Sequence, residues 1–244
     1  MFSIITVNYN NLNGLKRTVE SVLMQRDAAL ELIVIDGGSS DGSLTFLREI
    51  KDIRFSFVSE SDEGIYDAMN KGISKSNGNW LLFMNSGDCF CNSSVLLSVT
   101  KFDQSTNGAN ILYGDKITES GSTIKASEDI RIIEQGELFA CHQCIFFRPN
   151  ITYDLSYKIF GDFNLLAQLY NSVSHSSIKY LDIPIAIYEG GGVSSKISTR
   201  KRVEKFRSLT NNFGFIKTLN YYLLNKKNLV KLVDLFRFNH RPTS

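Results

Sequence analysis

Apolar and polar positions alternate in blocks along the first ninety residues. Ser3–Val7 is a short β-branched apolar run, the composition of a strand. The polar loop Asn8–Gly14 follows. Leu15, Val19, Val22 and Leu23 then recur at helical spacing, which predicts an amphipathic helix over 15–24. Leu30–Ile35 is a second apolar run, stopped by Asp36-Gly37-Gly38-Ser39-Ser40-Asp41-Gly42. A helix over 43–50, a short strand over 53–58 and a helix holding Ile65, Met69 and Ile73 come next. Trp80-Leu81-Leu82-Phe83-Met84 closes the series as a run without alternation, the mark of a strand buried on both faces. Strand and helix in alternation predict an α/β fold with a parallel sheet and right-handed crossovers. The polar segments after strands one, two and four should meet at the carboxyl edge of the sheet, where open α/β sheets bind ligands.

The rest of the pattern is less regular. Residues 95–102 look helical, 111–113 and 117–125 look like strands, and Ile145–Phe147 is a strand stopped by Arg148-Pro149. Gly161 opens a helix with Phe163, Leu165, Leu166, Leu169 and Tyr170. Residues 177–187 hold one or two strands around Pro184, and Gly190-Gly191-Gly192 is a break.

Composition adds limits. With 244 residues, 43% hydrophobic and 21% charged, the chain has globular proportions and can bury a core without staples. Its four cysteines form a C-x-C (Cys89, Cys91) and a C-x-x-C (Cys141, Cys144), a poor zinc spacing, and are expected as reduced thiols in the cytoplasm. The N-terminal run has neither a basic leader nor a small-residue cleavage site, so a first strand is expected there rather than a signal peptide. No apolar stretch approaches the ~20 residues of a membrane span. The net charge of +2 hides an asymmetry: residues 1–195 carry 15 Lys/Arg against 23 Asp/Glu, and residues 196–244 carry 12 against 2.

Four acids sit where chemistry is expected. Asp36 ends a buried strand ahead of two glycines and can accept hydrogen bonds from a nucleobase or ribose. Asp41 suits a cap on the next helix. Asp62-Glu63-Gly64-Ile65-Tyr66-Asp67-Ala68-Met69-Asn70-Lys71-Gly72 opens a helix whose N-terminus can host phosphate, although Asp67 and Lys71 equally form an ordinary i,i+4 pair. Asp88, after Asn85-Ser86-Gly87, can share a divalent ion with phosphate oxygens; Mn²⁺ or Mg²⁺ suits such hard oxygen donors. Asp162 lies in the first turn of an apolar helix, as a first-turn acid or, facing a cleft, as a general base.

Ser3–Tyr9, Ile33–Gly42, Asp62–Gly72 and Trp80–Asp88, in this order, resemble the catalytic domain of glycosyltransferase family two, most closely bacterial enzymes that build O-antigen and other surface polysaccharides. The resemblance spans about residues 1–195. It implies the GT-A fold, a Rossmann-like α/β sheet flanked by helices, with residues 1–90 as the nucleotide-sugar half and 91–195 as the acceptor half. It further implies that Thr6 and Asn8 contact the nucleotide and that Asp36 reads the base. Asp67 and Lys71 would line the donor pocket, with Ser86 on the same side. Asp88 would be the metal-binding acid, Asp162 the catalytic base, His142 and Gln143 acceptor-side residues, and Gly191–Ser195 a mobile loop over the donor. Three positions depart from the pattern: Gly87 and Gly161 stand where many relatives carry acids, and Asp36 is followed by Gly37 rather than a second acid.

The implied reaction is inverting transfer of a hexosyl or N-acetylhexosaminyl group from a nucleoside diphosphate sugar, UDP favoured, to a glycan on a polyprenyl diphosphate carrier. A nucleotidyltransferase or a weakened nucleotide-sugar-binding scaffold is the alternative. Residues 196–244 form a basic appendage with apolar residues at helical spacing (Phe215, Ile216, Leu219, Tyr222 and Leu223, then Leu229, Leu232, Val233 and Phe236). This predicts an interfacial helix docking on the anionic inner face of the bacterial plasma membrane, with packing on the acidic body or a homodimer contact as alternatives. No nucleic-acid module accompanies the charge, so nucleic acid is not expected as a partner.

Overall fold

The computed structural model describes residues 1–106, 108–190 and 198–224. Its first half follows the sequence pattern. Strands β1 (Phe2–Asn8), β2 (Leu30–Asp36), β3 (Phe55–Ser59) and β4 (Trp80–Phe83) are all parallel, in the order β3-β2-β1-β4. Helices α1 (Leu12–Leu23), α2 (Ser43–Glu49) and α3 (Ile65–Lys75) connect them. Helix α1 begins three residues before the expected start, because the Asn11 side chain accepts the Gly14 N–H at 3.1 Å and caps the turn.

The unbroken apolar runs have a simple cause. Phe2 and Ile4 face one core layer, with Leu15 and Val19 of α1 and Leu82 of β4. Ile5 and Val7 face the other, with Met69 of α3 and Phe83 of β4. Both faces of β1 are covered, so both parities must be apolar. Gly72 lets α3 approach closely, since a Cβ there would strike Ile5 Cγ2.

The second half is mixed. After β5 (Cys89–Phe90) and α4 (Val95–Thr106) come β6 (Ile111–Thr118), β7 (Thr123–Ile124), β8 (Ile145–Phe147), α5 (Gly161–Ser172) and β9 (Ile178–Tyr188). Strand β8 runs antiparallel between β4 and β6, β9 is parallel to β6, and β5 and β7 are short antiparallel additions. The strand expected over 117–125 is instead the end of β6, a turn closed by the Thr118 N–H to Ser122 O at 2.9 Å, and β7. Strand β9 passes through Pro184 unbroken, because the register against β6 shifts there. β5, two residues long, has no periodicity to read.

The C-terminal helices α6 (Thr199–Phe213) and α7 (Phe215–Leu224) are present as expected, but α6 is no detached tail. Glu204 is buried; its Oε1 accepts the Lys158 N–H at 3.0 Å, and its Oε2 accepts those of Ile159 and Phe160 at 2.8 and 2.9 Å. Leu209 and Tyr222 join the core, and the Ser208 hydroxyl donates to Asn164 Oδ1 at 3.0 Å. The boundary expected at Ser195 thus falls ahead of a helix that the body needs; the alternative of packing on the body describes α6. The expected repeat Leu229, Leu232, Val233 and Phe236 and the expected loop Gly191–Ser195 lie outside the described residues. Among the described residues no helix is long and apolar enough to cross a membrane. Glu204→Ala leaves three half-buried N–H groups without their acceptor and should lower stability by about 2–3 kcal/mol in urea unfolding; a change under 1 kcal/mol would mean that water replaces the carboxylate.

Candidate active site

The expected convergence at the carboxyl edge is carried by side-chain bonds between loops. Asn11 Nδ2 donates to Ser86 O at 3.1 Å. The buried Thr18 hydroxyl donates to Asp88 O at 2.8 Å and accepts the Gly87 N–H at 2.9 Å, stitching α1 to the loop after β4. Beneath the loops after β1 and β2, Asp36 is 0% exposed. It accepts from Asn8 Nδ2 (2.7 Å), Ser39 Oγ (2.6 Å), Ser39 N (3.0 Å) and Ser59 Oγ (2.7 Å). Burial pushes its pKa up, but these bonds outweigh it and hold the carboxyl below its ordinary value.

A cavity of about 480 Å³ opens beside this edge, within the usual range for small-ligand sites. Ser86, Asp88, His142, Gln143 and Asp162 all line it. Thr6, Asn8, Asp36, Asp67 and Lys71 do not. Thr6 and Asp36 are wholly buried, and Asn8 Nδ2 donates to Asp36 and Ser39. Lys71 Nζ is held by Ser61 O (3.0 Å), Glu60 (3.0 Å) and Asp67 (3.3 Å), the ordinary ion pair that its spacing allowed. Asp36 therefore fixes the shape of a surface formed above it. There Tyr9, 69% exposed, and Asp62 flank Gly37, whose Cβ would meet Asp62 Oδ2 at 2.6 Å and Tyr9 Cδ2 at 3.3 Å.

Asp88 is 4% exposed. Its Oδ2 accepts from Gln143 Nε2 at 2.8 Å and its Oδ1 from the Glu189 N–H at 3.1 Å. Gln143 thus faces the acid rather than the acceptor side; its own Oε1 accepts from Cys141 Sγ at 3.0 Å, which fixes the amide. Burial, with a smaller contribution from the Glu189 charge, pushes the Asp88 pKa up to about 6.

On the opposite wall, Asp162 occupies the first turn of α5, with Oδ1 accepting the Phe163 N–H at 2.8 Å. The Tyr66 hydroxyl donates to Ile159 O at 2.9 Å and lies 3.4 Å from Asp162 Oδ1. A Cβ at Gly161 would meet the Tyr66 ring at 2.6 Å, so the residue where relatives carry a second acid is glycine to admit that ring. Tyr66 stacks on Tyr153 (5.2 Å), whose hydroxyl shares a 2.7 Å hydrogen bond with His142 Nε2, and His142 stacks on Phe83 of β4 (5.2 Å). An aromatic column thus joins β4, whose following loop carries Asp88, to the first turn of α5, which carries Asp162. Burial lowers the His142 pKa and raises that of Tyr153.

A divalent ion fits the residues around Asp88. Asn85 Oδ1 and Ser86 Oγ are buried oxygens without hydrogen-bond partners, and the space beside Gly87 is taken by the Glu189 carboxylate, which a Cβ would strike. Among the described residues no group of three or more His, Cys, Asp or Glu converges; a hard ion such as magnesium or manganese needs only one or two carboxylates alongside phosphate oxygens. Thr18, Tyr66, Tyr153 and Glu189 were not singled out from sequence. Tyr66 lies within the helix-entry motif, and the others carry no local signal.

A GT-A nucleotide-sugar transferase fold is what solved structures show when set beside this one. The Staphylococcus aureus TarS 1–349 complex with UDP-GlcNAc superposes with a TM-score of 0.68 at 16% identity, over 96% of this chain and 79% of that one. The mannosyltransferase PcManGT of Pyrobaculum calidifontis, in complex with GDP-Man and Mn²⁺, gives 0.68 at 12% identity, over 100% and 76%. This chain spans 44% of the chain in another TarS crystal structure. The PGL/p-HBAD biosynthesis glycosyltransferase of Mycobacterium bovis is 28% identical over 217 residues, 84% of this chain and 83% of that protein. The family model of glycosyl transferase family 2 matches residues 3–156, and the chain belongs to that family. It is a glycosyltransferase.

The Asp88 environment sets a pH dependence. Its folded pKa of about 6 lies above the ordinary 3.8, so the stability tied to the protonated form is full below pH 4 and lost as pH rises through 6. Without metal, the protein should lose about 3 kcal/mol over that interval relative to Asp88→Asn, read from paired melting curves at pH 4 to 7.5. A pH-independent difference would refute the burial account.

Proposed function

We propose that the chain is an inverting, metal-dependent transferase that moves a sugar from a nucleoside diphosphate donor, UDP favoured, to a hydroxyl of a growing bacterial surface glycan on a lipid diphosphate carrier. The observation that carries this reading is one cavity with Asp88 on its sheet-edge wall and Asp162 on its helical wall. The nucleoside would lie across Gly37, between Tyr9 and Asp62. Asp88 would hold a divalent ion with the donor phosphates, and the ion, when bound, offsets charge on the departing nucleoside diphosphate. Asp162 takes the proton of the acceptor hydroxyl as its oxygen bonds to the anomeric carbon and the bond to phosphate breaks. Attack opposite the leaving group inverts the anomeric configuration. Tyr66 and the 158–160 turn hold Asp162 in place, and the three lysines that line the cavity (Lys116, Lys125 and Lys158) suit an anionic acceptor.

Asp162→Asn should reduce transfer by roughly 10²–10⁴-fold while leaving UDP binding and melting temperature unchanged. The assay follows release of nucleoside diphosphate and the product's anomeric configuration by NMR. Full activity in this variant, or release of pyrophosphate, would refute the assignment.

Docking at the inner face of the plasma membrane is part of the same reading. Its support is that Phe215, Ile216 and Leu223 of α7 remain exposed, Ile216 to 75%, on a strongly basic C-terminal segment. Phe215→Glu with Ile216→Glu should abolish flotation with phosphatidylglycerol vesicles without changing the melting temperature. Unchanged flotation would count against α7 as the contact.

A further inference from the structure

The loop after β4 holds one acid, Asp88, next to Gly87, and the structure brings a second acid beside it from elsewhere in the chain. Gly87 has φ of 111°, a conformation that favours glycine, and a Cβ there would fall on the Glu189 carboxylate. A side chain at 87 and the Glu189 carboxylate therefore compete for one volume. Glu189 follows β9 directly, lines the same cavity as Asp88, and has its backbone N–H 3.1 Å from Asp88 Oδ1. That bond fixes the two residues side by side. The buried, unpartnered Asn85 Oδ1 and Ser86 Oγ belong to the same loop. The Glu189 side chain is 35% exposed and its Oε1 is ion-paired with Arg17 of α1, so a cation is already its neighbour.

We infer that Glu189 is the second carboxylate of the divalent-ion site, reaching from the end of β9 into the space that Gly87 leaves and completing with Asp88 a two-acid set assembled from distant parts of the chain. The inference rests on the metal-dependent reading above. Two carboxylates with phosphate oxygens and water meet the needs of magnesium or manganese. Arg17 has a defined part: it balances the charge of Glu189, which would otherwise stand unscreened beside Asp88. Because Asp88 is held by the Glu189 backbone, Glu189→Gln removes the carboxylate and keeps that hold.

The test is Mn²⁺ binding by the full-length protein, read from the free-ion EPR signal with UDP present, in wild type, Glu189→Gln, Asp88→Asn and Arg17→Gln. Circular dichroism checks that each variant is folded. Wild type should bind, Asp88→Asn should not, and Glu189→Gln should bind roughly tenfold or more weakly, on the scale by which supporting groups tune metal sites. Arg17→Gln should bind as tightly as wild type or more so, because it removes a competing cation. Wild-type affinity in Glu189→Gln alongside lost affinity in Asp88→Asn would overturn the role of Glu189 and leave the metal reading intact. Equal weakening in Glu189→Gln and Arg17→Gln would also overturn it, showing that the ion pair matters rather than the carboxylate. Absence of Mn²⁺ binding in wild type would overturn both the inference and the metal-dependent reading.

Discussion

The Asp88 carboxylate is held from two sides, by the Gln143 amide and by the Glu189 backbone. These donors come from segments 55 and 101 residues away along the chain. The loop after β4, the turn at 142–144 and the end of β9 are thereby tied to one buried charge. Burying an acid is costly, and the raised pKa measures that cost. That cost would fall if a cation shared the carboxylate, as the proposed function requires. Local destabilisation at a binding site is a frequent trade of stability for function.

Sequence and structure agree best where the physics is local. Two-sided burial of β1, β2 and β4 leaves unbroken apolar runs, and the crossover helices leave helical periodicity, so the first half of the fold is legible in outline. Asp88, Asp162, His142, Gln143 and Ser86, which the sequence singles out, line one cavity. Strand β5 and the β6–β7 turn escaped notice, since two residues carry no period. Residues 177–187 read as one or two strands around Pro184, because a register shift against β6 is invisible in one strand alone.

Roles were harder to read than positions. Asp36, Asp67 and Lys71 have functional-looking places, but the structure occupies them with internal partners. No sequence pattern reports whether a carboxylate's lone pairs are already taken. The same holds for Glu204. It stands among basic residues on a helix that reads as a solvated surface element, yet it holds the three N–H groups ahead of the turn bearing Asp162. Its partners lie 44 to 46 residues away, so only the fold discloses its use.

The irregularity in β9 has a wider meaning. The chain advances three residues along β6, from Tyr113 to Lys116, while it advances six along β9, from Tyr180 to Ala186. An odd surplus exchanges the faces of a strand, because side chains alternate with a period of two. The surplus therefore decides which side of the sheet receives residue 189. Segment length between Tyr180 and Glu189 becomes a heritable character in its own right. Relatives that differ there by one residue present the opposite parity at the site, whatever amino acids they carry, and alignments that absorb such a gap silently will compare residues that face opposite ways.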